Sequence, residues 1–117
     1  MNRFILVLAL VLAGGCATTD TPQQKVFAAH QVYDTALSVA VTYKNLPPCG
    51  MGVVVCSDKE VVATLQKADN VAFEALKSAQ SVVRTQTSSE TALQTAIRWA
   101  QEAIAAFSRV TSSLNVK

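Results

Sequence analysis

His30, Asp34 and Ser38 stand at a spacing that could assemble a nucleophilic catalyst. They follow one another at one-turn intervals on a segment with helical periodicity, so a base, an orienting group and a nucleophile are all present. Three residues in a row along a solvent-facing helix edge diverge, however, and no backbone donors for an oxyanion accompany them. We interpret the three as an ordinary polar edge and expect a protein that is not an enzyme.

Asp69 is a second candidate for chemistry, because its helix places it on an apolar face. At about 100° per residue, it falls between Leu65 and Phe73. A carboxylate in that position needs a hydrogen-bond partner. We expect a structural bond to a neighbouring helix, from Tyr33, Tyr43, His30 or Trp99. A role in ligand binding or proton relay is the alternative.

Residues 1–15 have the order of a secretory signal peptide. A cationic start containing Arg3 leads into the apolar run 4–12 and then into small residues, which is the arrangement of charge, apolar segment and cleavage site that export signals share. A membrane-spanning helix would need roughly 20 apolar residues. We therefore predict that this segment is removed on export.

Cys16 follows the small residues at the end of that segment. The run Leu12-Ala13-Gly14-Gly15-Cys16 resembles the lipobox of bacterial lipoproteins, in which a peptidase cuts just before a cysteine that carries diacylglycerol as a thioether. The resemblance implies lipidation at Cys16 and a lipidated tether over residues 16–21. Since Asp after the lipidated cysteine tends to retain such proteins in the inner membrane, Ala17 implies an anchor in the outer membrane, facing the periplasm.

Cys49 and Cys56 are the two cysteines that remain once Cys16 is assigned to lipid attachment. In an exported protein such a pair predicts a local disulfide, which stabilises by roughly 2 to 3 kcal/mol on the chain-entropy model. A zinc site is the competing interpretation, but zinc takes four ligands and the chain has one histidine. A redox pair would favour the Cys-x-x-Cys spacing. We expect a disulfide, no metal and no cofactor.

The composition of the 117 residues indicates one small helical domain. Half of the residues are apolar, only 6% are aromatic, and the three Pro and four Gly all precede Val53, so the remainder lacks the turn residues of an all-β fold. Ten basic residues oppose eight acidic ones. They are scattered along the chain, whereas a nucleic-acid surface clusters them, so we expect no nucleic-acid partner.

Three clusters of hydroxyl and Glu or Gln residues predict three helix starts. Thr21-Pro22-Gln23-Gln24 begins a helix expected over Pro22 to Leu46, which Pro47 must end. Ser57-Asp58-Lys59-Glu60 begins a second, over Asp58 to Arg84. Thr87-Ser88-Ser89-Glu90 begins a third, over Ser88 to Ser112.

Each predicted helix carries an apolar stripe with a period of 3.6 residues. The expected core residues are Val26, Ala29, Tyr33, Ala36, Leu37, Ala40 and Tyr43; Val61, Leu65, Ala68, Ala72, Leu76, Ala79 and Val83, with Phe73 at the edge; and Leu93, Ala96, Ile97, Ala100, Ile104 and Phe107. Short connections make neighbouring helices antiparallel. We predict an all-α fold, an up-down-up three-helix bundle over residues 22–117 with a disulfide-clasped turn at 47–57.

A second stripe lies on the flank of the third helix. It contains Trp99, Ala103, Ala106 and Val110, with Ala92, and widens the apolar arc to about half the circumference. In a three-helix bundle each helix contacts two others, which alone explains a broad arc. The alternative is a surface for a partner, where Trp is a favoured anchor.

The chain as a whole resembles a group of short helical lipoproteins found in bacterial genomes and in tailed phages or prophages. The resemblance depends on the lipobox, on the segments 21–29 and 43–49, and on Cys56-Ser57-Asp58 leading to Lys67-Ala68-Asp69-Asn70. It brings no catalytic residue with it. We expect a non-enzymatic interaction or structural module of the cell envelope that binds or spaces another envelope component, such as an envelope protein; a binder of an apolar small molecule near Asp69 is the alternative.

Overall fold

The computed structural model describes residues 21–85 and 88–114, and these residues form three helices and no strand. The helices are α1 (Pro22–Lys44), α2 (Lys59–Thr85) and α3 (Glu90–Ser112). The all-helical prediction is therefore confirmed for this part of the chain. The predicted signal peptide, Cys16 and the tether before Thr21 lie outside the described residues.

The start of α1 is a complete capping box. The Gln24 backbone N–H donates to the Thr21 hydroxyl at 3.2 Å, and the Thr21 backbone N–H donates to the Gln24 side chain at 2.8 Å. Pro22 occupies the first helical turn, where a missing N–H costs nothing. The sequence prediction for this helix start is confirmed.

The turn from α1 to α2 lies where the sequence predicts it, but the residue that caps α2 differs from the predicted one. α1 ends at Lys44, two residues before the predicted Leu46, and Asp58, not Ser57, caps α2. The Asp58 carboxylate accepts from the backbone N–H groups of Glu60 at 2.8 Å and Val61 at 3.2 Å. The backbone of Ser57 is occupied elsewhere, since its N–H donates to the Pro47 carbonyl at 2.8 Å.

The other predicted helix bounds also need small corrections. α2 ends at Thr85 and not at Arg84, and α3 begins at Glu90 and not at Ser88. Ser89 is the cap of α3, because its hydroxyl accepts from the Ala92 N–H at 3.2 Å. Thr87, the first residue of the predicted box, lies outside the described residues.

The core is made of the predicted stripes, with two additions. The buried apolar residues are Val26, Ala29, Tyr33, Ala36, Ala40, Tyr43, Leu65, Ala72, Ala75, Leu76, Ala79, Ala96, Ile97, Ala100, Ala103, Ile104 and Phe107. Ala75 and Ala103 were not among the expected core positions. The predicted Leu37, Val61, Ala68, Val83 and Leu93 pack partly buried against this cluster. Phe73, expected at the edge, is exposed.

All three helices pack against one another, and side-chain bonds fix the direction of α1 and α2. Tyr43, late in α1, contacts Asp58 just before α2, whereas Tyr33, ten residues earlier, contacts Asp69. Partner numbers that rise along one helix and fall along the other mean that α1 and α2 are antiparallel. Within the described ranges, no helix is both long and apolar enough to cross a membrane.

Candidate functional site

Asp69 is joined to α1 by a short hydrogen bond. The buried Tyr33 hydroxyl donates to the Asp69 Oδ1 at 2.7 Å. The Tyr33 ring lies against two aromatic rings, with its centroid 5.9 Å from that of Phe107 and 6.5 Å from that of Phe73. Asp69 itself is only half-buried. Of the four partners proposed from the sequence, Tyr33 is therefore the one that meets Asp69.

Burial raises the pKa of the Tyr33 hydroxyl well above its ordinary value, and the hydrogen bond to Asp69 raises that pKa further. The nearby charges of Asp69 and Asp34 act in the same direction. Ionisation of Tyr33 would place a second negative charge directly beside the Asp69 carboxylate. The hydroxyl therefore remains a protonated donor throughout the neutral pH range.

The other three proposed partners of Asp69 have different surroundings. Tyr43 accepts a hydrogen bond from the Asp58 backbone N–H at 3.0 Å. The His30 Nδ1 lies 3.0 Å from the Asp34 Oδ2, one turn further along α1. Trp99 is 44% exposed on α3. Tyr33 and Tyr43 thus join α1 to α2 at two levels, ten residues apart on α1, Tyr33 through a carboxylate and Tyr43 through the backbone N–H just before α2.

Removal of the Asp69 carboxylate should destabilise the protein. In Asp69→Ala the buried Tyr33 hydroxyl loses its acceptor, so the free energy of unfolding should fall by about 1 to 3 kcal/mol. Asp69→Asn keeps an acceptor oxygen and should cost less. Urea midpoints of residues 21–117 measure both; equal midpoints for Asp69→Ala and the wild type would show that the bond does not contribute to stability.

A groove between α1 and α2 opens beside Asp69. Its volume is about 180 Å³ and its lining is mostly apolar, from Leu37, Ala40, Val41, Val62 and Leu65, with Lys44, Gln66 and Asp69 as its polar members. Sites for drug-sized ligands usually measure about 300 to 1,000 Å³ and enclose most of the ligand. This groove is smaller and open, so it is a weak candidate for holding a small molecule.

His30 and Asp34 pair with each other at the surface, and Ser38 is exposed one turn further on. The Ser38 carbonyl accepts from the Thr42 hydroxyl, which is a bond within the helix surface. Within the part of the chain that the structure describes, no group of three or more His, Cys, Asp or Glu residues could hold a metal ion.

The turn between α1 and α2 is a disulfide-clasped loop, residues 49–56, as the cysteine spacing predicts. Cys49 and Cys56 are bonded, with their Cα atoms 4.9 Å apart. Beside the disulfide, the Cys49 N–H donates to the Ser57 carbonyl at 3.2 Å. Gly50 and Gly52 have φ angles of 97° and 73°, a left-handed region that other residues rarely adopt. The disulfide, the backbone hydrogen bond and the two left-handed glycines together hold the loop in this conformation.

The tip of this loop presents apolar side chains to solvent. Val54 is 93% exposed and Met51 is 72% exposed, with the exposed Val53 between them. A groove of about 340 Å³ adjoins the loop, lined by Tyr43, Cys49, Val54, Val55, Cys56, Val61, Ser113 and Leu114. We define Met51, Val53 and Val54 as the loop tip. The sequence prediction treated this segment only as a turn. The signal for an exposed apolar surface was present in the sequence, since the apolar residues share one short loop with two glycines and the disulfide.

The flank stripe of α3 is partly buried in the bundle and partly exposed. Ala103 is buried and Val110 packs partly buried against the core, so both contribute to helix packing. Trp99 and Ala106 remain exposed, and so does Ala92. The stripe is therefore an edge of the helix interface with an exposed tryptophan, and it is less exposed as a whole than the loop tip.

Comparison with protein-family models, with curated proteins and with solved structures found no match to this chain.

Proposed function

We propose that this protein is an outer-membrane-anchored, periplasm-facing helical lipoprotein that acts as a non-enzymatic interaction module of the envelope. In this proposal the up-down-up bundle follows the signal peptide and the lipidated tether, and the module belongs to a bacterium or to a prophage it carries. Its partner is another envelope protein, and the membrane is contacted through the lipid on Cys16.

The anchor is supported by sequence chemistry. A cysteine directly after a leader and a run of small residues is the acceptor position of the lipobox that this chain resembles. Several acyl chains on one residue exceed the single chain whose membrane binding is marginal and reversible. Attachment through Cys16 would therefore be stable.

The interaction role depends on one observation, the exposed loop tip. α1 spans about 33 Å at 1.5 Å per residue, so the clasped loop stands at the end of the bundle far from Thr21, where the predicted tether ends. Contiguous exposed apolar patches are typical of interaction sites, and Met51, Val53 and Val54 are neighbours within one clasped loop. Because the loop is already fixed in shape, binding need not order it, which favours affinity.

A charge at the loop tip should abolish the partner complex. Val54→Asp replaces a 93% exposed valine, so it should leave the fold intact while placing a carboxylate in the apolar contact. In native mass spectra of protein extracted in mild detergent, the wild type should carry a stoichiometric protein partner and Val54→Asp should not.

Val71→Asp is the matched control, since Val71 is an exposed valine in α2 away from the loop, and it should keep the partner. Retention of the partner by Val54→Asp would reject the loop tip as the docking site. A retained small molecule in place of a protein would instead favour the apolar-ligand alternative near Asp69, to which the α1–α2 groove gives a location.

A further inference from the structure

The end of the bundle where the tether joins has its own exposed surface. Phe27, in the second turn of α1, is 66% exposed, although phenylalanine is among the residues most often buried. It borders a groove of about 200 Å³ between the start of α1 and the end of α2. The groove's apolar lining includes Val26 and Val83, and its cation is Arg84.

The chemistry of this groove suits a phospholipid surface. An exposed aromatic ring next to a guanidinium can enter the interfacial region while the cation contacts phosphate. Among the described residues that line the groove, the polar ones besides Arg84 are Gln23, His30 and Gln80, and none is a carboxylate. The lining itself therefore presents no anionic side chain to lipid phosphate, and the carboxylate of Asp34, one turn further along α1, is paired with His30.

The short chain before α1 keeps a membrane surface within reach of this groove. The segment from Ala17 to Thr21 has five residues, which can span at most about 18 Å even when fully extended. Phe27 lies about 9 Å further along the helix. A membrane that holds Cys16 is therefore within reach of Phe27 and Arg84.

We infer that the groove of Phe27 and Arg84 lies against the membrane surface, with the ring in the interfacial region and the guanidinium on lipid phosphate, which directs the loop tip into the periplasm. This orientation rests on the lipid anchor of the proposed function. It assigns the two ends of α1 to different contacts, one with lipid and one with a protein.

Quenching of a single tryptophan by brominated lipid tests the orientation. The full lipidated chain is placed in vesicles of phosphatidylethanolamine and phosphatidylglycerol whose acyl chains are brominated near the headgroup, with Trp99→Phe removing the native fluorophore. Phe27→Trp then reports on the groove and Val54→Trp reports on the loop tip, and both positions are exposed. Emission at position 27 should be quenched at least about twofold more than at position 54.

Arg84→Glu in the Phe27→Trp chain should reduce the quenching, because it replaces the phosphate contact by repulsion. Gln23→Trp, on the same groove, is a second reporter where Phe27→Trp does not fold. Equal quenching at both ends, or none at positions 23 and 27 in a chain that floats with the vesicles, would overturn the orientation alone. A chain that neither carries acyl groups nor floats would overturn both the anchor and the orientation.

Discussion

Phe107→Ala should lower the free energy of unfolding by about 3 to 5 kcal/mol, the usual cost of truncating a buried phenylalanine. Phe107 is completely buried, and its ring contacts that of Tyr33. The surrounding core contains many alanines, whose short side chains cannot move to fill the cavity. The loss would be a large part of the roughly 5 to 15 kcal/mol that stabilise a typical domain.

Urea unfolding of residues 21–117, followed by far-ultraviolet circular dichroism, measures this effect. With a slope of about 1 to 3 kcal/mol per molar, the midpoint should fall by about 1 M or more. Phe27→Ala is the matched control, because that side chain is exposed, and its effect should stay within about 0.5 kcal/mol. Similar midpoints for the two variants would contradict the assignment of Phe107 to the core.

Removal of the disulfide should have the second largest effect on stability. The Cys49→Ser, Cys56→Ser double variant frees a loop whose ends are seven residues apart, and the chain-entropy model gives a loss of about 2 to 3 kcal/mol. The helices should persist, because most of the core lies between them. In native mass spectra the double variant should also retain less of the proposed protein partner, since the loop tip is no longer held in one conformation.

A reductant provides the control for this prediction. Dithiothreitol should lower the urea midpoint of the wild type to that of the double variant, and it should leave the variant's midpoint unchanged. If reduction does not change the midpoint of the wild type, the disulfide does not contribute to the stability of the bundle.

The sequence predicts the helices well because their signals are local. Period-3.6 stripes identify most of the buried positions, and clusters of capping residues identify each helix start to within two residues. The choice between two adjacent capping residues is not decided by local sequence, since Ser57 and Asp58 could each cap α2. That choice depends on the clasped loop, where the backbone of Ser57 pairs with Pro47 and Cys49.

The partner of Asp69 follows from the register between two helices, which periodicity does not give. The clasped loop sets Tyr43 beside Asp58. About 15 Å further along each helix at 1.5 Å per residue, Tyr33 is level with Asp69, and the two bond there. Exposure of the loop tip has the same origin, because it depends on the path that the disulfide and the two glycines impose on residues 49–56.

The proposed lipid anchor at Cys16 determines the mass of the mature protein, so mass spectrometry of the extracted protein tests it. Protein extracted from the outer membrane of cells fed labelled palmitate should begin at Cys16, carry the label, and exceed the peptide mass by a diacylglycerol thioether and an acyl group. Cys16→Ala should carry no label and should be absent from the outer-membrane fraction. Equal labelling of both chains, or a mature chain of plain peptide mass, would contradict the account.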